Sequence, residues 1–352
     1  MSNTDKTLQR DREFMIRCLD LAAKGAGKVA PNPMVGCVIV HNNKIIGEGY
    51  HIEFGGPHAE VNAINSVENK ELLKSSTLYV NLEPCSHYGK TPPCSDLIVS
   101  HKIPRVVICN MDPNAKVSGK GIKKLNNAGI VTEIGICENE GNFLNRRFFT
   151  FHKQKKPYII LKWAQSKDGF IDIIRNADTP IGPNWISDEI SRVLVHKWRA
   201  EEMGILVGTQ TVLKDNPSLT VRDWRGNSPI RLVIDKKNIL TNDLKVFDNK
   251  TETIIFNETI DQKKGKTEWI SCNSKDYIKC IDEVCFEKGI LSLIVEGGEK
   301  LLSSYISSNC WNEARVFVGN RKFNQGVKAP KIELTSGKHH IIGQTNLYIV
   351  NS

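Results

Sequence analysis

Residues 77–94 have the sequence TLYVNLEPCSHYGKTPPC, in which a β-type apolar run is followed by two cysteines. The run from Thr77 to Asn81 predicts a strand, because it is rich in residues that favour extended backbone. Upstream, His58-Ala59-Glu60 opens a predicted helix that continues to Asn65. A histidine and two cysteines are therefore expected near the ends of neighbouring elements.

Further helices and strands alternate along the first half of the chain. The pattern predicts an amphipathic helix with Phe14, Ile16, Leu19, Leu21 and Ala22 among its apolar positions, a hairpin of Met34–Val40 and Ile45–Tyr50, strands Arg105–Cys109 and Val131–Ile134, and a helix Lys120–Asn127. Such alternation is typical of an α/β layer.

A polar, charged segment, HKQKK at 152–156, separates the two halves and places a domain boundary near 152–157. Two domains, 1–152 and 153–352, agree with a length of 352 residues. The second half is also expected to be α/β, and Ser187 is predicted to cap a helix. Its predicted elements are strands 158–163, 205–207, 230–234, 253–256 and 291–295 and a helix 299–306.

Composition excludes several classes of protein. No apolar run approaches the roughly 20 residues of a membrane span, and the charged N-terminal segment is unlike a secretory signal, which predicts a cytoplasmic location. The net charge of +9 is spread along the chain, and phosphate groups on a small substrate account for it as well as nucleic acid does. The ten cysteines are expected to be free thiols, some of them metal ligands.

The residues His58, Cys85 and Cys94 have the nitrogen and sulfur donors that Zn²⁺ prefers, and three protein ligands leave a fourth position for water. Glu60 follows His58 by two residues and can carry protons between that water and a leaving amine. A structural zinc is the alternative for this set. The other candidate ligands, His51, His87, Cys37 and Cys109, fit no motif and are expected to pack or face solvent.

These residues resemble the H-x-E and P-C-x-x-C motif of the cytidine-deaminase superfamily, except that eight residues separate Cys85 from Cys94. With that longer spacing, the chain resembles the bifunctional riboflavin-biosynthesis deaminase/reductase family. The segments that carry the resemblance are Ala30–Gly36, His58–Val61, Leu82–His87 and Thr91–Cys94. The resemblance implies a three-layer α/β/α deaminase domain that removes the 2-amino group of a diaminopyrimidinone ribosyl phosphate. It also implies that Asn32 lies in the pyrimidine pocket; a turn residue between two prolines is the alternative for Asn32.

Without a family resemblance, the motifs of the second half predict a function less specifically than the zinc motif of the first half does. Gly208–Pro217 and Val295–Gly298 are glycine-containing strand ends at which a backbone could approach phosphate. The G-x-G-x-x-G fingerprint of a Rossmann dinucleotide site is absent from the sequence.

The second half resembles the reductase half of the same family, which has a dihydrofolate-reductase-like fold and uses NADPH to reduce the ribosyl side chain to ribityl. The matching segments are Leu161–Ser166, Asn184–Ile186, Arg199-Ala200, Thr211–Pro217, Leu219–Arg222 and Val295–Gly298. By position, the resemblance implies contacts to NADPH from Ala164, Trp185, Thr211, Asp215, Gly298, Glu299, Lys300, Leu301, Leu302, Ser303 and Ser304. It implies contacts to substrate from Arg199, Leu219, Arg222 and Glu296, and a role for Lys162 near the reduced carbon, where a merely solvated lysine is the alternative.

One departure concerns Pro183, which stands where the family commonly has a small polar residue. The irregular segment Ile173–Pro183 adds to this difference, and its part in substrate binding is left open. Two other functions are alternatives: a nucleic-acid base deaminase, which the small net positive charge of residues 1–152 disfavours, and a non-catalytic protein with structural zinc. A homo-oligomer without nucleic-acid or membrane partners is expected.

Overall fold

The protein is described here from a computed structural model, which covers residues 3–88, 92–114, 118–272 and 276–352. Thr91, part of the second cysteine motif, lies outside these residues. The chain separates into two units, Met1–Gln154 and Lys155–Ser352. None of the described helices is both long enough and apolar enough to cross a membrane.

The first unit contains a five-stranded sheet with the order β2-β1-β3-β4-β5. Strand β1 is antiparallel to both β2 and β3, whereas β3, β4 and β5 run parallel to one another. Its elements are helices α1 (Asn3–Ala23), α2 (Ala59–Ser66), α3 (Cys94–Ser100), α4 (Lys120–Asn127), α5 (Glu138–Leu144) and α6 (Arg146–Gln154), and strands β1 (Gly36–His41), β2 (Lys44–Tyr50), β3 (Thr77–Leu82), β4 (Arg105–Asn110) and β5 (Val131–Ile134).

Helices cover both faces of this sheet. Successive side chains of a strand point to opposite faces, and accordingly Cys37 and Ile39 of β1 pack with α2, α3 and α4, whereas Val38 and Val40 pack with α1. The result is the three-layer α/β/α arrangement expected from the sequence.

Glycine at position 49 allows α2 to lie directly against β2. A Cβ atom at Gly49 would stand 2.3 Å from the backbone nitrogen of Ala63 and 2.7 Å from the carbonyl oxygen of Ala59. Because no side chain fits there, the start of α2, with His58 and Glu60, is held close to the sheet.

The second unit is built on a ten-stranded sheet. Its elements are helices α7 (Glu189–Glu201), α8 (Thr209–Asp215), α9 (Tyr277–Glu287) and α10 (Glu299–Ser307), and strands β6 (Tyr158–Gln165), β7 (Phe170–Asp172), β8 (Gly204–Gly208), β9 (Ile230–Ile234), β10 (Thr253–Asn257), β11 (Gln262–Lys264), β12 (Thr267–Ser271), β13 (Ser292–Val295), β14 (Glu313–Val318), β15 (Val327–Lys328), β16 (Lys338–Ile342) and β17 (Thr345–Asn351). The strands β7 and β15 form a separate pair.

The strand order of the large sheet is β11-β12-β10-β9-β8-β13-β6-β14-β17-β16. The seven strands from β12 to β14 in this order are all parallel, so that their carboxyl ends lie at one edge. Two hydrophobic layers cover the faces of the sheet. Parallel sheets place ligands at the carboxyl edge of the strands, and this edge is therefore where a site is expected.

The cap of α7 differs from the expectation by one residue. Asp188, not Ser187, is the N-cap, and its Oδ1 accepts a hydrogen bond of 2.8 Å from the backbone nitrogen of Ser191. The other carboxylate oxygen accepts from the backbone nitrogen of Gln344 at 2.6 Å. A carboxylate satisfies both donors and interacts favourably with the positive end of the helix, which a serine hydroxyl cannot match.

The expectation that all ten cysteines are free was wrong for one pair. Cys272 and Cys280 form a disulfide, with their Cα atoms 6.1 Å apart, within the usual range for such a bond. The chain places Cys272 just after β12 and Cys280 on the first turn of α9, which brings the two thiols together. The other eight cysteines are free.

Candidate active sites

The predicted zinc ligands of the first unit converge from three elements. His58 precedes α2 as its N-cap, Cys94 is the first residue of α3, and Cys85 follows β3. The Nδ1 of His58 lies 3.6 Å from the Sγ of Cys85 and 3.3 Å from the Sγ of Cys94, and all three ligand atoms lie within 4.8 Å of one another. One imidazole nitrogen and two thiols at this spacing fit Zn²⁺ and leave a fourth position open.

The environment of the cysteines favours a thiolate at Cys85. Its Sγ accepts a hydrogen bond of 3.2 Å from the backbone nitrogen of Cys94. Hydrogen bonding to the Cys94 side chain and to His58 lowers the pKa of Cys85 to about 4. The same interaction with Cys85, together with burial, raises the pKa of Cys94. The site thus stabilises negative charge on sulfur, which is the form that binds metal.

Glu60 stands in the first turn of α2, where it is buried. Burial, reinforced by the Cys85 thiolate, raises the pKa of the Glu60 carboxyl to about 7. A carboxyl with such a pKa exchanges protons readily at neutral pH.

The sequence did not reveal His51, which was expected only to pack or face solvent. The Nδ1 of His51 lies 2.9 Å from the carbonyl oxygen of Pro57, and its Nε2 lies 3.1 Å from the amide nitrogen of Asn32. The ring of His51 is 5.7 Å from that of His58. The Nδ1 therefore donates to Pro57 and the Nε2 accepts from Asn32, which fixes the orientation of the Asn32 amide beside the zinc ligands. Nineteen residues separate His51 from Asn32, and no local pattern marks their contact.

The second unit has a cavity of about 1140 Å³ at the carboxyl edge of its parallel strands. Most of the predicted reductase residues line it. These are Lys162, Ala164, Trp185, Arg199, Thr211, Asp215, Leu219, Arg222, Glu296, Gly298, Glu299, Lys300, Leu301 and Ser304.

Two predicted NADPH contacts lie elsewhere. Leu302 is fully buried in the hydrophobic layer under α10, and Ser303 donates its hydroxyl to the Glu299 carboxylate at 2.8 Å. The helical repeat of 3.6 residues turns Leu302 towards the hydrophobic layer. Ser303 lies one turn after Glu299 on the same face of α10, and its hydroxyl is engaged by that carboxylate.

A cluster of buried charges lines the cavity. Arg199 binds the Glu296 carboxylate, and the Nζ of Lys162 lies 3.8 Å from Oε2 of Glu296. Although burial opposes ionisation of Glu296, Arg199 and Lys162 hold its pKa at about 2. Burial lowers the pKa of Lys162, and Glu296 limits that change. Lys162 is thus part of the site and not a solvated lysine.

The irregular segment 173–183 also belongs to the cavity wall, since Arg175 and Pro183 line it. Arg175 binds the carboxylates of Asp172 at 2.7 Å and Asp215 at 2.8 Å. It also donates to the carbonyl oxygen of Gly182 at 2.9 Å. Arg175 therefore ties the segment to α8, a role that sequence reasoning missed because Asp215 is forty residues away.

The remaining lining suits a phosphorylated dinucleotide. Gly298 is the N-cap of α10, so that the backbone N–H groups at the start of this helix are available to an anion. Lys214, Lys236 and Lys300 add positive charge to the wall. Space, cations and a helix N-terminus in one cavity fit the NADPH implied by the resemblance.

Family models and relatives agree with this arrangement. Residues 8–110 match the model described as the cytidine and deoxycytidylate deaminase zinc-binding region, and residues 157–321 match the RibD C-terminal domain. The chain is 38% identical over 332 residues to the riboflavin biosynthesis protein RibD of Aquifex aeolicus, covering 93% of this chain and 91% of that protein. It is 37% identical over 314 residues to the RibD of Bacillus amyloliquefaciens, covering 86% and 83%.

Solved structures extend the similarity to nearly the whole chain. A diaminohydroxyphosphoribosylaminopyrimidine deaminase/5-amino-6-(5-phosphoribosylamino)uracil reductase from Thermotoga maritima is 36% identical, with a TM-score of 0.87 over 98% of this chain and 99% of that one. The RibD of Acinetobacter baumannii is 29% identical, with a TM-score of 0.86 and the same coverage. The chain therefore belongs to the RibD family of bifunctional riboflavin-biosynthesis enzymes, which join a zinc-binding deaminase domain to an NADPH-using reductase domain.

Proposed function

We propose that the chain converts 2,5-diamino-6-ribosylamino-4(3H)-pyrimidinone 5′-phosphate into 5-amino-6-ribitylamino-uracil 5′-phosphate in two steps. The observation that carries the proposal is that the residues proposed for each step lie close together within one unit. His58, Cys85, Cys94 and Glu60 converge in the first unit, and Lys162, Arg199 and Glu296 converge in the second.

In the first step, water replaces the 2-amino group of the pyrimidinone and ammonia leaves. His58, Cys85 and Cys94 would hold Zn²⁺, which polarises water so that it ionises near neutral pH. Glu60 takes a proton from the attacking water and delivers a proton to the departing amine, for which its raised pKa is suited. Asn32, fixed by His51, presents its carboxamide oxygen to an N–H group of the pyrimidine.

In the second step, the ribosyl ring opens to an imine and its C1′ accepts a hydride. Bound NADPH would supply that hydride, and cavity-lining residues such as Ala164, Thr211 and Ser304 would hold it. Lys162 donates the accompanying proton to the imine nitrogen bonded to C1′, while Glu296 accepts hydrogen bonds from hydroxyl or ring N–H groups of the substrate. Arg199 and Arg222 bind the phosphate, since guanidinium groups match phosphate oxygens in geometry and charge.

Residues 1–152 are proposed as the deaminase domain and 153–352 as the reductase domain. The division of the structure between Gln154 and Lys155 supports this boundary. We further propose a cytoplasmic homo-oligomer. Phosphorylated substrates and NADPH do not diffuse across membranes, and Val131 and Ile134 leave apolar side chains exposed on the edge strand β5. Light scattering on the purified protein measures its oligomeric state.

The two steps can be tested separately on the purified, zinc-loaded protein. With the diaminopyrimidinone phosphate but without NADPH, ammonia should be released in a stoichiometric amount. On addition of NADPH, its absorbance at 340 nm should fall by one equivalent, and the ribityl product should be detected by mass spectrometry. Absence of both signals would disprove the proposed function, and salt-sensitive binding of RNA or DNA would favour a nucleic-acid deaminase instead.

A further inference from the structure

The segment Ser218–Arg222 forms a wall of the reductase cavity. Leu219 and Arg222 both line the cavity, and Leu219 is buried. Leu219 has a φ of +54°, a left-handed conformation that a leucine adopts only when its surroundings impose it. Contacts on both sides of Leu219 must therefore hold this segment in place.

Arg231 holds the segment on one side. Its guanidinium is fully buried, and its Nε donates to the carbonyl oxygen of Ser218 at 2.9 Å. The carboxylate of Asp248 neutralises the guanidinium at 2.7 Å. The peptide that precedes Leu219 is thereby fixed.

His196 holds the segment on the other side. This residue lies on α7, its side chain is only 2% exposed, and its Nδ1 accepts a hydrogen bond of 3.0 Å from the backbone nitrogen of Arg222. Burial, together with the cations Arg199 and Arg222, lowers the pKa of His196 to about 4. The ring is therefore neutral at physiological pH, with a lone pair on Nδ1 and a proton on Nε2, which faces the Asp223 carboxylate at 3.5 Å.

The position of His196 connects this contact to substrate binding. His196 and Arg199 are one turn apart on α7, and both line the cavity with Arg222. The hydrogen bond to His196 fixes the backbone of Arg222. It thereby fixes where the Arg222 side chain begins, on the wall of the cavity that Arg199 also lines.

We propose that His196 is a positioning residue that orients Arg222 for the substrate phosphate through the Arg222 backbone, opposite the contact made by Arg231. This inference rests on the proposed function of the second unit and adds a residue that contributes to substrate affinity without itself binding the phosphate. Loss of the Nδ1 acceptor leaves the Arg222 N–H without its partner and frees Leu219 to leave its left-handed conformation.

The test compares His196→Ala with His196→Asn, whose side-chain oxygen can take the place of Nδ1. In the NADPH oxidation assay, we expect His196→Ala to raise the KM for 5-amino-6-(5-phosphoribosylamino)uracil about tenfold while leaving the KM for NADPH unchanged. His196→Asn should restore most of the substrate affinity. In an Arg222→Ala background, His196→Ala should have little further effect, because the two residues act on one contact.

Calorimetric binding of ribose 5-phosphate gives a readout that does not depend on the reaction. His196→Ala should weaken this binding about tenfold, and His196→Asn should not. Equal rises in both KM values, a failure of Asn to rescue, or additive effects of His196→Ala and Arg222→Ala would overturn the inference. If the wild-type protein binds ribose 5-phosphate in a His196-dependent manner but does not reduce the uracil compound, the proposed function fails and the positioning role stands.

Discussion

Arg199 binds Glu296 at two points across the reductase cavity, with its Nε 3.0 Å from Oε1 and its Nη2 2.6 Å from Oε2. Both side chains are largely buried, so that water screens the pair little. Arg199 lies on α7 and Glu296 follows β13. Their contact therefore fixes the helix to the carboxyl edge of the sheet at the place where substrate is proposed to bind.

The variant Glu296→Gln keeps the size of the side chain and removes its charge. We expect the kcat/KM of the reductase step to fall about 100-fold or more, because loss of one partner leaves Arg199 and Lys162 buried without their counter-charge. Deamination should be unchanged. NADPH oxidation and ammonia release measure the two steps. Glu268→Gln, which removes a surface pair with Lys288, is the matched control, and an equal loss of both activities in Glu296→Gln would contradict this assignment.

The variant Cys94→Ser is expected to abolish zinc binding and deamination but to preserve reduction. The reason is that the zinc ligands belong to the first unit, whereas all the described residues that line the reductase cavity belong to the second. Metal analysis and the two activity assays check this result. Cys310→Ser replaces a free thiol of the second unit and should keep its zinc. Full zinc content in Cys94→Ser would remove Cys94 from the ligand set.

The variant Glu60→Gln separates proton transfer from metal binding. Glutamine fits the buried site but cannot carry a proton, so deamination should slow about 10²- to 10⁴-fold, the usual contribution of a general acid–base group. Zinc content and thermal stability should be close to those of the wild type. Loss of zinc together with activity would instead assign Glu60 to metal binding or to folding.

The sequence was sufficient for much of the first unit because its signals are local. The helix Lys120–Asn127 and the strand Val131–Ile134 have the predicted bounds, since both follow from apolar periodicity and from Gly129. The ligand set His58, Cys85 and Cys94 could be proposed from motif spacing, and the structure brings the three side chains together.

The parts that sequence did not reveal depend on contacts between distant residues. His196 meets the backbone of Arg222 across 26 positions, and Arg175 meets Asp215 across 40. Neither contact leaves a periodic or motif-like pattern, because each partner is an ordinary helix or loop residue in its own neighbourhood. Tertiary packing, not local preference, determines them.

The variant Gly49→Ala tests the close approach of α2 to β2. The added Cβ would stand 2.3 Å from the Ala63 nitrogen, so α2 must shift. We expect the first unit to lose about 1–3 kcal/mol of stability and zinc affinity to fall, since His58 precedes this helix. Thermal unfolding and zinc titration measure both effects. The control is Gly208→Ala, because φ at Gly208 is −94° and a Cβ there would meet no atom within 4 Å. This variant should leave stability nearly unchanged. An equal loss of stability in the two variants would contradict the packing argument.

Asp282 on α9 should make the stability of the second unit depend on pH. Burial raises its pKa from 3.8 to about 7, with Lys156 opposing and Asp276 and Glu283 reinforcing the change, and among the described residues its Oδ1 has no hydrogen-bond partner. The folded protein therefore binds more protons than the unfolded chain between about pH 4 and pH 7, so the free energy of unfolding falls as pH rises through this range.

Because each pKa unit corresponds to about 1.4 kcal/mol, Asp282→Asn should gain up to a few kcal/mol over the wild type at pH 8 and little at pH 4. Urea unfolding at both pH values measures this difference. Glu287→Gln, which removes an exposed carboxylate of the same helix, should not show it. A gain for Asp282→Asn that is the same at both pH values would contradict the titration of Asp282.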